Sequence, residues 1–225
     1  TLEPCSHHGE TPPCAGALVD AGVTRVVAAM TDPDPRVAGQ GLSALRAAKI
    51  AVDVGVCEDE AHALNRGYLK RLSDGLPLVT LKTAITTDGR IATESGESQW
   101  ITGAESRAEA HRLRADHDAI AVASATALAD DPELTCRLPG MRGRSPVRVL
   151  LDAHLRVPTD AKLYATADAV PLWVFSAVPS DDPKVLERTK TGAEHFTVAT
   201  DGSGHGVNLR QSFGQLAERG ITRLL

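Results

Sequence analysis

Short runs rich in Val and Ile alternate with helix-length segments along almost the whole chain, and Gly or Pro stands at most of the changes. That alternation places the chain in the α/β class. The pattern predicts a short helix over 15–21 closed by Gly22, then a buried strand over 24–30. Asp32-Pro33-Asp34-Pro35 must be a loop, because prolines at that spacing exclude regular structure. Residues 41–48 read as helix, 51–54 as strand and 58–73 as a longer helix. The last carries acids in its first turn and Lys70 and Arg71 near its end, as a helix dipole favours. Asp74-Gly75-Leu76-Pro77 stops it.

A second unit starts near Leu78. A strand is expected over 78–86, and Asp88-Gly89 supplies a turn. Helix 105–114, strand 118–123 and a short helix ending near Asp130 follow. Further strands are expected at 147–152, 172–176 and 196–199, and a helix at 209–219 with Gly220 as its stop. Residues 221–225 look like a strand beginning, and both ends read as cut. Asp201-Gly202-Ser203-Gly204-His205-Gly206 reads as a mobile loop, since its glycines precede no immediate helix. The two domains expected are 1–75 and 76–225. At 225 residues, 42 % of them hydrophobic, the chain can fill one large core or two small ones.

The formal net charge is −5 and the basic residues are scattered. No basic stripe points to nucleic acid. No apolar run reaches membrane-spanning length, and no signal peptide is visible. Four widely spread cysteines do not form a disulfide framework. Cys57 and Cys136 read as free thiols, and the cytoplasm is the compartment expected.

Cys5 and Cys14 carry the chemistry. Each follows a proline, and Cys14 sits where a helix begins, where exposed N–H groups favour thiolate over thiol. Two thiolates facing one point are half of a tetrahedral zinc site. Zinc deaminases combine such a pair with one His and a non-ligating, proton-carrying Glu. Read locally, the two could also be unrelated thiols or a disulfide. One His-x-Glu lies in the chain, His8-Gly9-Glu10. It is set aside, because three ligands would share one short loop and the Gly would leave the Glu poorly fixed. The His and Glu are therefore expected upstream of Thr1.

Thr1-Leu2-Glu3-Pro4-Cys5-Ser6-His7-His8-Gly9 with Thr11-Pro12-Pro13-Cys14 resembles the bifunctional deaminase–reductase family of riboflavin biosynthesis. Asp32-Pro33-Asp34-Pro35 with Val37-Ala38-Gly39 adds to the resemblance. So do Thr87-Asp88-Gly89-Arg90, Ser95-Gly96-Glu97-Ser98-Gln99-Trp100-Ile101-Thr102, and Ala127-Leu128-Ala129-Asp130-Asp131-Pro132 with Leu134-Thr135. The joint order of these motifs spans nearly the whole chain.

The resemblance implies a partial cytidine-deaminase-like domain followed by a dihydrofolate-reductase-like domain. It implies zinc-dependent deamination of a diaminopyrimidinone ribosylamine phosphate, then NADPH-dependent reduction of its ribosyl group to ribityl. Cys5 and Cys14 match the zinc ligands. Ala84, Trp100, Thr126, Asp130 and Ala153 match the cofactor positions. Ser98, Arg114, Leu134 and Arg137 match the substrate positions, with Lys82 and Asp88 near the pocket. Arg114 and Arg137 are the natural phosphate clamp, because guanidinium binds phosphate through two parallel hydrogen bonds. The partner implied is a small molecule, and the family is usually dimeric or larger.

The chain departs from the family in places. Glu10 stands where Lys or Arg is common, and a carboxylate there would repel a substrate phosphate. Ala123-Ser124-Ala125-Thr126 replaces a Gly-x-Gly-Thr pattern, and Ala153 stands where Ser is common. The glycine-rich segment expected after the last strand, which would cradle cofactor phosphates, is absent. Two other readings compete: a reductase whose deaminase half is an inactive structural module, and a non-enzymatic zinc-stabilised binding module.

Overall fold

The computed structural model describes residues 2–9 and 11–225. Glu10, and with it the His-x-Glu match, lies partly outside them. The chain forms two compact units, Thr1–Asp74 and Gly75–Leu225.

In the first unit, β1 (Arg25–Ala28) pairs in parallel with β2 (Ala51–Val54). Helices α1 (Cys14–Asp20), α2 (Gln40–Ala47) and α3 (Glu58–Asp74) accompany them. Ala15 and Leu45 pack with Val26 and Val52, so α1 and α2 cover one face of the pair. Ala29, Met30 and Ala61 form a second small cluster with Leu69 of α3. Tight local packing fixes the loop that carries Cys5. The buried Glu3 carboxylate accepts from the backbone N–H groups of Asp32 (3.2 Å), Gly39 (2.9 Å) and Gly41 (3.2 Å). Position 41 must be Gly, because a Cβ there would stand 1.8 Å from the Pro4 carbonyl oxygen.

The second unit is a six-stranded sheet in which every pairing is parallel. Its order is β3 (Leu78–Val79), β8 (Arg223–Leu224), β4 (Ala119–Ala123), β5 (Val147–Leu151), β6 (Leu172–Ser176), β7 (Glu194–Thr197). Side chains alternate between two cores, as the pleat requires. Ile120, Leu150, Leu172 and Val174 face one cluster with Leu163, Tyr164 and Val185 from α6 (Lys162–Ala165) and α7 (Pro183–Thr189). Ala119, Val149, Phe175 and Leu224 face the other, with Leu216 of α8 (Leu209–Glu218). Burial on both faces is what a parallel sheet needs. The remaining helices are α4 (Ala104–Asp116) and α5 (Ser124–Asp130).

Three expectations change. The strand over 78–86 shrinks to Leu78–Val79. Its partner β8 offers two residues, and after the Thr80 N–H bonds to the Leu224 carbonyl no ladder continues. A run of strand-forming residues without a hydrogen-bonding neighbour does not make a strand. The strand expected at 196–199 lies at Glu194–Thr197, because its register is set by Trp173 and Val174 of β6. Helices α6 and α7 escape a reading by periodicity because they are 4 and 7 residues long. The turn at Gly89 is as expected, with its φ at +80° and its N–H bonded to the Thr86 carbonyl.

The second unit half-buries a histidine on the edge strand β7. The Ser176 hydroxyl and His195 Nε2 are 2.7 Å apart, while His195 Nδ1 is buried without a partner among the described residues. Burial therefore holds His195 below its ordinary value of 6.5. His111 is held below it too, by burial first and then by Arg114 and Arg137. Both groups bind protons more readily when unfolded. Stability is therefore expected to be full above pH 6.5 and to fall as the pH drops below it, at up to about 1.4 kcal/mol per pH unit for each histidine. Urea unfolding at pH 7.5 and pH 5.5 checks this. Replacing His195 by Gln should flatten the dependence.

Candidate functional site

In an open parallel sheet, ligands gather at the carboxyl ends of the strands. Because every pairing is parallel, the connections after β3, β4, β5, β6 and β7 all leave that end. After β4 the chain enters α5 directly. After β5, the fully buried Asp152 organises residues 152–157: its Oδ2 accepts from the Val157 N–H at 2.8 Å. The Asp152 N–H bonds to the Phe175 carbonyl, and the Ala177 N–H to the Ala153 carbonyl, so the loops after β5 and β6 are laced together.

The cofactor candidates divide between these loops and an outlying segment. Thr126 and Asp130 are exposed on α5, and Ala153 is buried just after β5. Ala123, Ala125 and Ala153 place only methyl groups along the ends of two adjacent strands. Ala123 and Ala125 are exposed, whereas Ala153 is packed into the core. Lys82, Ala84, Asp88, Ser98 and Trp100 lie on the irregular segment between β3 and α4, and no described contact joins them to α5 or Ala153. Trp100 is 71 % exposed, with the Arg107 guanidinium 4.5 Å over its ring. It is a stacking surface open on one face.

Of the substrate candidates, Arg114, Leu134 and Arg137 come together, whereas Ser98 and Lys82 share no described contact with them. Arg114, on α4, donates to the Thr135 carbonyl at 3.0 Å. Arg137 pairs with Glu133 at 2.8 Å. Leu134 is buried between them in sequence, with φ at +57°, and Asp131 has φ at +39°. Two non-glycine residues in the left-handed region within four positions mark a loop held by its surroundings. Asp131 is anchored by the Lys162 N–H at 2.8 Å. Burial and the neighbouring Arg137 both work against the charge on Arg114 and hold its guanidinium below the ordinary value. Glu133 is the carboxylate beside this pair, held below its usual range by the Arg137 hydrogen bond. Two guanidinium groups share one carboxylate here, so the cluster carries a net positive charge that favours a further anion.

His111 was not among the candidates read from the sequence. Its Nδ1 stands 3.2 Å from an Arg114 guanidinium nitrogen and accepts from the Arg137 N–H at 3.2 Å. Its carbonyl accepts from the Cys136 thiol at 3.4 Å. The available signal was spacing, since a residue three before Arg114 shares its helix face.

In the first unit the two cysteines are neighbours. The Cys14 N–H donates to Cys5 Sγ at 3.4 Å, and the Ala15 N–H to the Cys5 carbonyl at 3.0 Å. The disulfide alternative is not adopted, because both thiols are free. The expected helix-start preference for thiolate at Cys14 is overridden. The hydrogen bond and charge of Cys5 push the Cys14 thiol up, since two adjacent thiolates repel. The donor set suits two corners of a zinc site, but no group of three or more His, Cys, Asp or Glu able to hold a metal occurs among the described residues. Nearby, Arg36 holds the Asp34 carboxyl down at about 2.

Parallel sheet, strand-end loops and arginine cluster together define a dihydrofolate-reductase-like α/β domain. The chain belongs to the RibD C-terminal domain family, whose model matches residues 77–225. It is 44 % identical over 221 residues to the riboflavin biosynthesis protein RibD of Bacillus amyloliquefaciens, covering 98 % of this chain and 58 % of that protein. It is 47 % identical over 225 residues to the RibD of Aquifex aeolicus, covering 100 % of this chain and 60 % of that protein. The structure of Acinetobacter baumannii RibD superposes with a TM-score of 0.86 at 37 % identity, over 100 % of this chain and 60 % of that one. The chain thus spans 58–60 % of the length of these relatives. No helix among the described residues is long and apolar enough to cross a membrane.

Proposed function

We propose that the second unit is a reductase of riboflavin biosynthesis. It uses NADPH to convert the ribosyl group of a 5-amino-6-(5-phosphoribosylamino)pyrimidine to ribityl. The observation that carries this reading is the proximity of Arg114 on α4 to Arg137 on the 131–137 loop, inside a domain matched to the reductase family. NADPH, when bound, supplies the hydride. The chain's own work is positioning: Thr126, Asp130 and Ala153 hold the cofactor along the strand ends, Trp100 offers an apolar wall, and the arginines anchor the phosphate with Ser98 and Leu134 beside them. Lys82 and Ala84 are assigned to the same site by their match to the family alone. The small-molecule substrate needs neither nucleic acid nor membrane, and we place the enzyme in the cytoplasm as a homo-oligomer.

We further propose that Cys5 and Cys14 are two ligands of a zinc site in the preceding deamination step. Support comes from the adjacency of the two thiols. It also comes from the match of this unit to relatives such as the Thermotoga maritima protein described as a deaminase and reductase, with a TM-score of 0.82 at 33 % identity. Cys5 and Cys14 would hold two corners of such a zinc ion, which would supply the activation of water that hydrolytic deamination needs. The competing reading is a reductase with an inactive first unit, and zinc content separates the two.

One preparation of the natural full-length protein tests both. NADPH oxidation that requires the phosphorylated, deaminated substrate supports the reductase, and its absence overturns it. About one zinc per chain, lost in Cys14→Ala, supports the deaminase. No zinc leaves the reductase alone.

A further inference from the structure

His111 sits at the centre of the arginine cluster without being one of its charges. Three bonds converge on it from the 135–137 loop and from its own helix. The Arg137 N–H and an Arg114 guanidinium nitrogen both lie 3.2 Å from Nδ1, and the Cys136 thiol donates to its carbonyl at 3.4 Å. Both groups facing Nδ1 are donors, so Nδ1 must be the acceptor and the proton must sit on Nε2. The neutral ring that this requires agrees with the lowered proton affinity that burial and the two arginines impose.

Left alone, two half-screened guanidinium groups on separate elements would splay apart. Arg114 belongs to α4, while Arg137 lies 23 residues later on a loop. Glu133 holds the Arg137 side chain at 2.8 Å, and the Thr135 carbonyl holds Arg114 at 3.0 Å. Nδ1 of His111 reaches both arginines at once.

We propose that His111 is the positioning residue of the phosphate clamp, a neutral acceptor whose Nδ1 ties the Arg137 backbone to the Arg114 guanidinium so that both cations meet one phosphate. This rests on the reading that Arg114 and Arg137 bind the substrate phosphate. A bond that pre-orders a binding group contributes to affinity rather than to the chemical step.

Asparagine places its Oδ1 where histidine places Nδ1, whereas glutamine reaches toward the Nε2 position. His111→Asn should therefore keep the clamp, and His111→Gln and His111→Phe should loosen it. In the natural full-length protein, His111→Gln and His111→Phe are expected to raise KM for the phosphorylated substrate about tenfold, the loss of roughly one hydrogen bond to a charged group. Their kcat and KM for NADPH should stay within about twofold. His111→Asn should remain within about threefold of the parent on every constant. A general loosening of the fold would move KM for NADPH as well, and that result overturns the proposal. So does an unchanged substrate KM in His111→Gln while Arg114→Ala raises it, or a failure of His111→Asn to match the parent. If His111→Phe does not fold, the Asn and Gln pair decides. If Arg114→Ala itself leaves the substrate KM unchanged, the phosphate reading falls and this proposal falls with it.

Discussion

Replacing Arg148 by Leu is expected to destabilise the second unit by about 3 kcal/mol, even though Leu suits a strand in a sheet core. Arg148 is fully buried in β5. Its guanidinium donates to the Thr166 hydroxyl at 2.7 Å, the Thr166 carbonyl at 3.0 Å and the Val170 carbonyl at 2.5 Å. A fourth bond, 3.4 Å to the Glu133 carbonyl, reaches the loop that carries Leu134 and Arg137. Burial pushes its pKa down only to about 10, so it stays charged at neutral pH. Leu would relieve the cost of burying a cation. It would also strand several carbonyl oxygens in the interior, each costing about 1–3 kcal/mol. Urea unfolding followed by tryptophan fluorescence should show the midpoint fall by about 1 M or more. Lys should recover only part of the loss, since one ammonium cannot reproduce the planar fork. A midpoint equal to the parent's would mean that the carbonyls find other donors.

Arg114→Ala should lower kcat/KM for the phosphorylated substrate about 100-fold, corresponding to roughly 3 kcal/mol of charge-assisted hydrogen bonding. The loss should fall on KM, because a phosphate remote from the reacting carbon is bound alike in ground and transition states. Arg114→Lys keeps the charge and loses the fork, so its effect should lie between. Steady-state rates of NADPH oxidation against substrate concentration separate the cases. A drop confined to kcat would move Arg114 from anchoring to the chemical step. High salt should weaken the parent enzyme's substrate binding and affect the alanine variant less.

These expectations draw on different layers of information. Composition and periodicity were enough for the α/β class, for β2 at Ala51–Val54 and β6 at Leu172–Ser176, and for the long helix α3. Local chemistry decides such segments: branched residues in a short run, a stop at Gly or Pro, charges matched to a helix dipole. The motif order also pointed to Arg114, Leu134 and Arg137, and the structure gathers them in one place.

What the sequence could not fix involves partners distant along the chain. Residues 81–85 continue the run that begins at Leu78, but no strand among the described residues pairs with them. Glu3 reads as an ordinary acid beside a motif, yet the fold buries it against the backbone of residues 32, 39 and 41. Arg148 reads as an interruption in an apolar run, and only the return of residues 166–170 supplies acceptors that make its burial tolerable. His111 is one more polar residue on a charged helix until the 135–137 loop closes over it. The sequence by itself determined the α/β class, most of the longer helices and buried strands, and which residue types carry charge. Tertiary structure decided which charges are buried and paired, because desolvation and hydrogen bonding depend on what lies within a few ångströms in space, and most of those neighbours come from elsewhere in the chain.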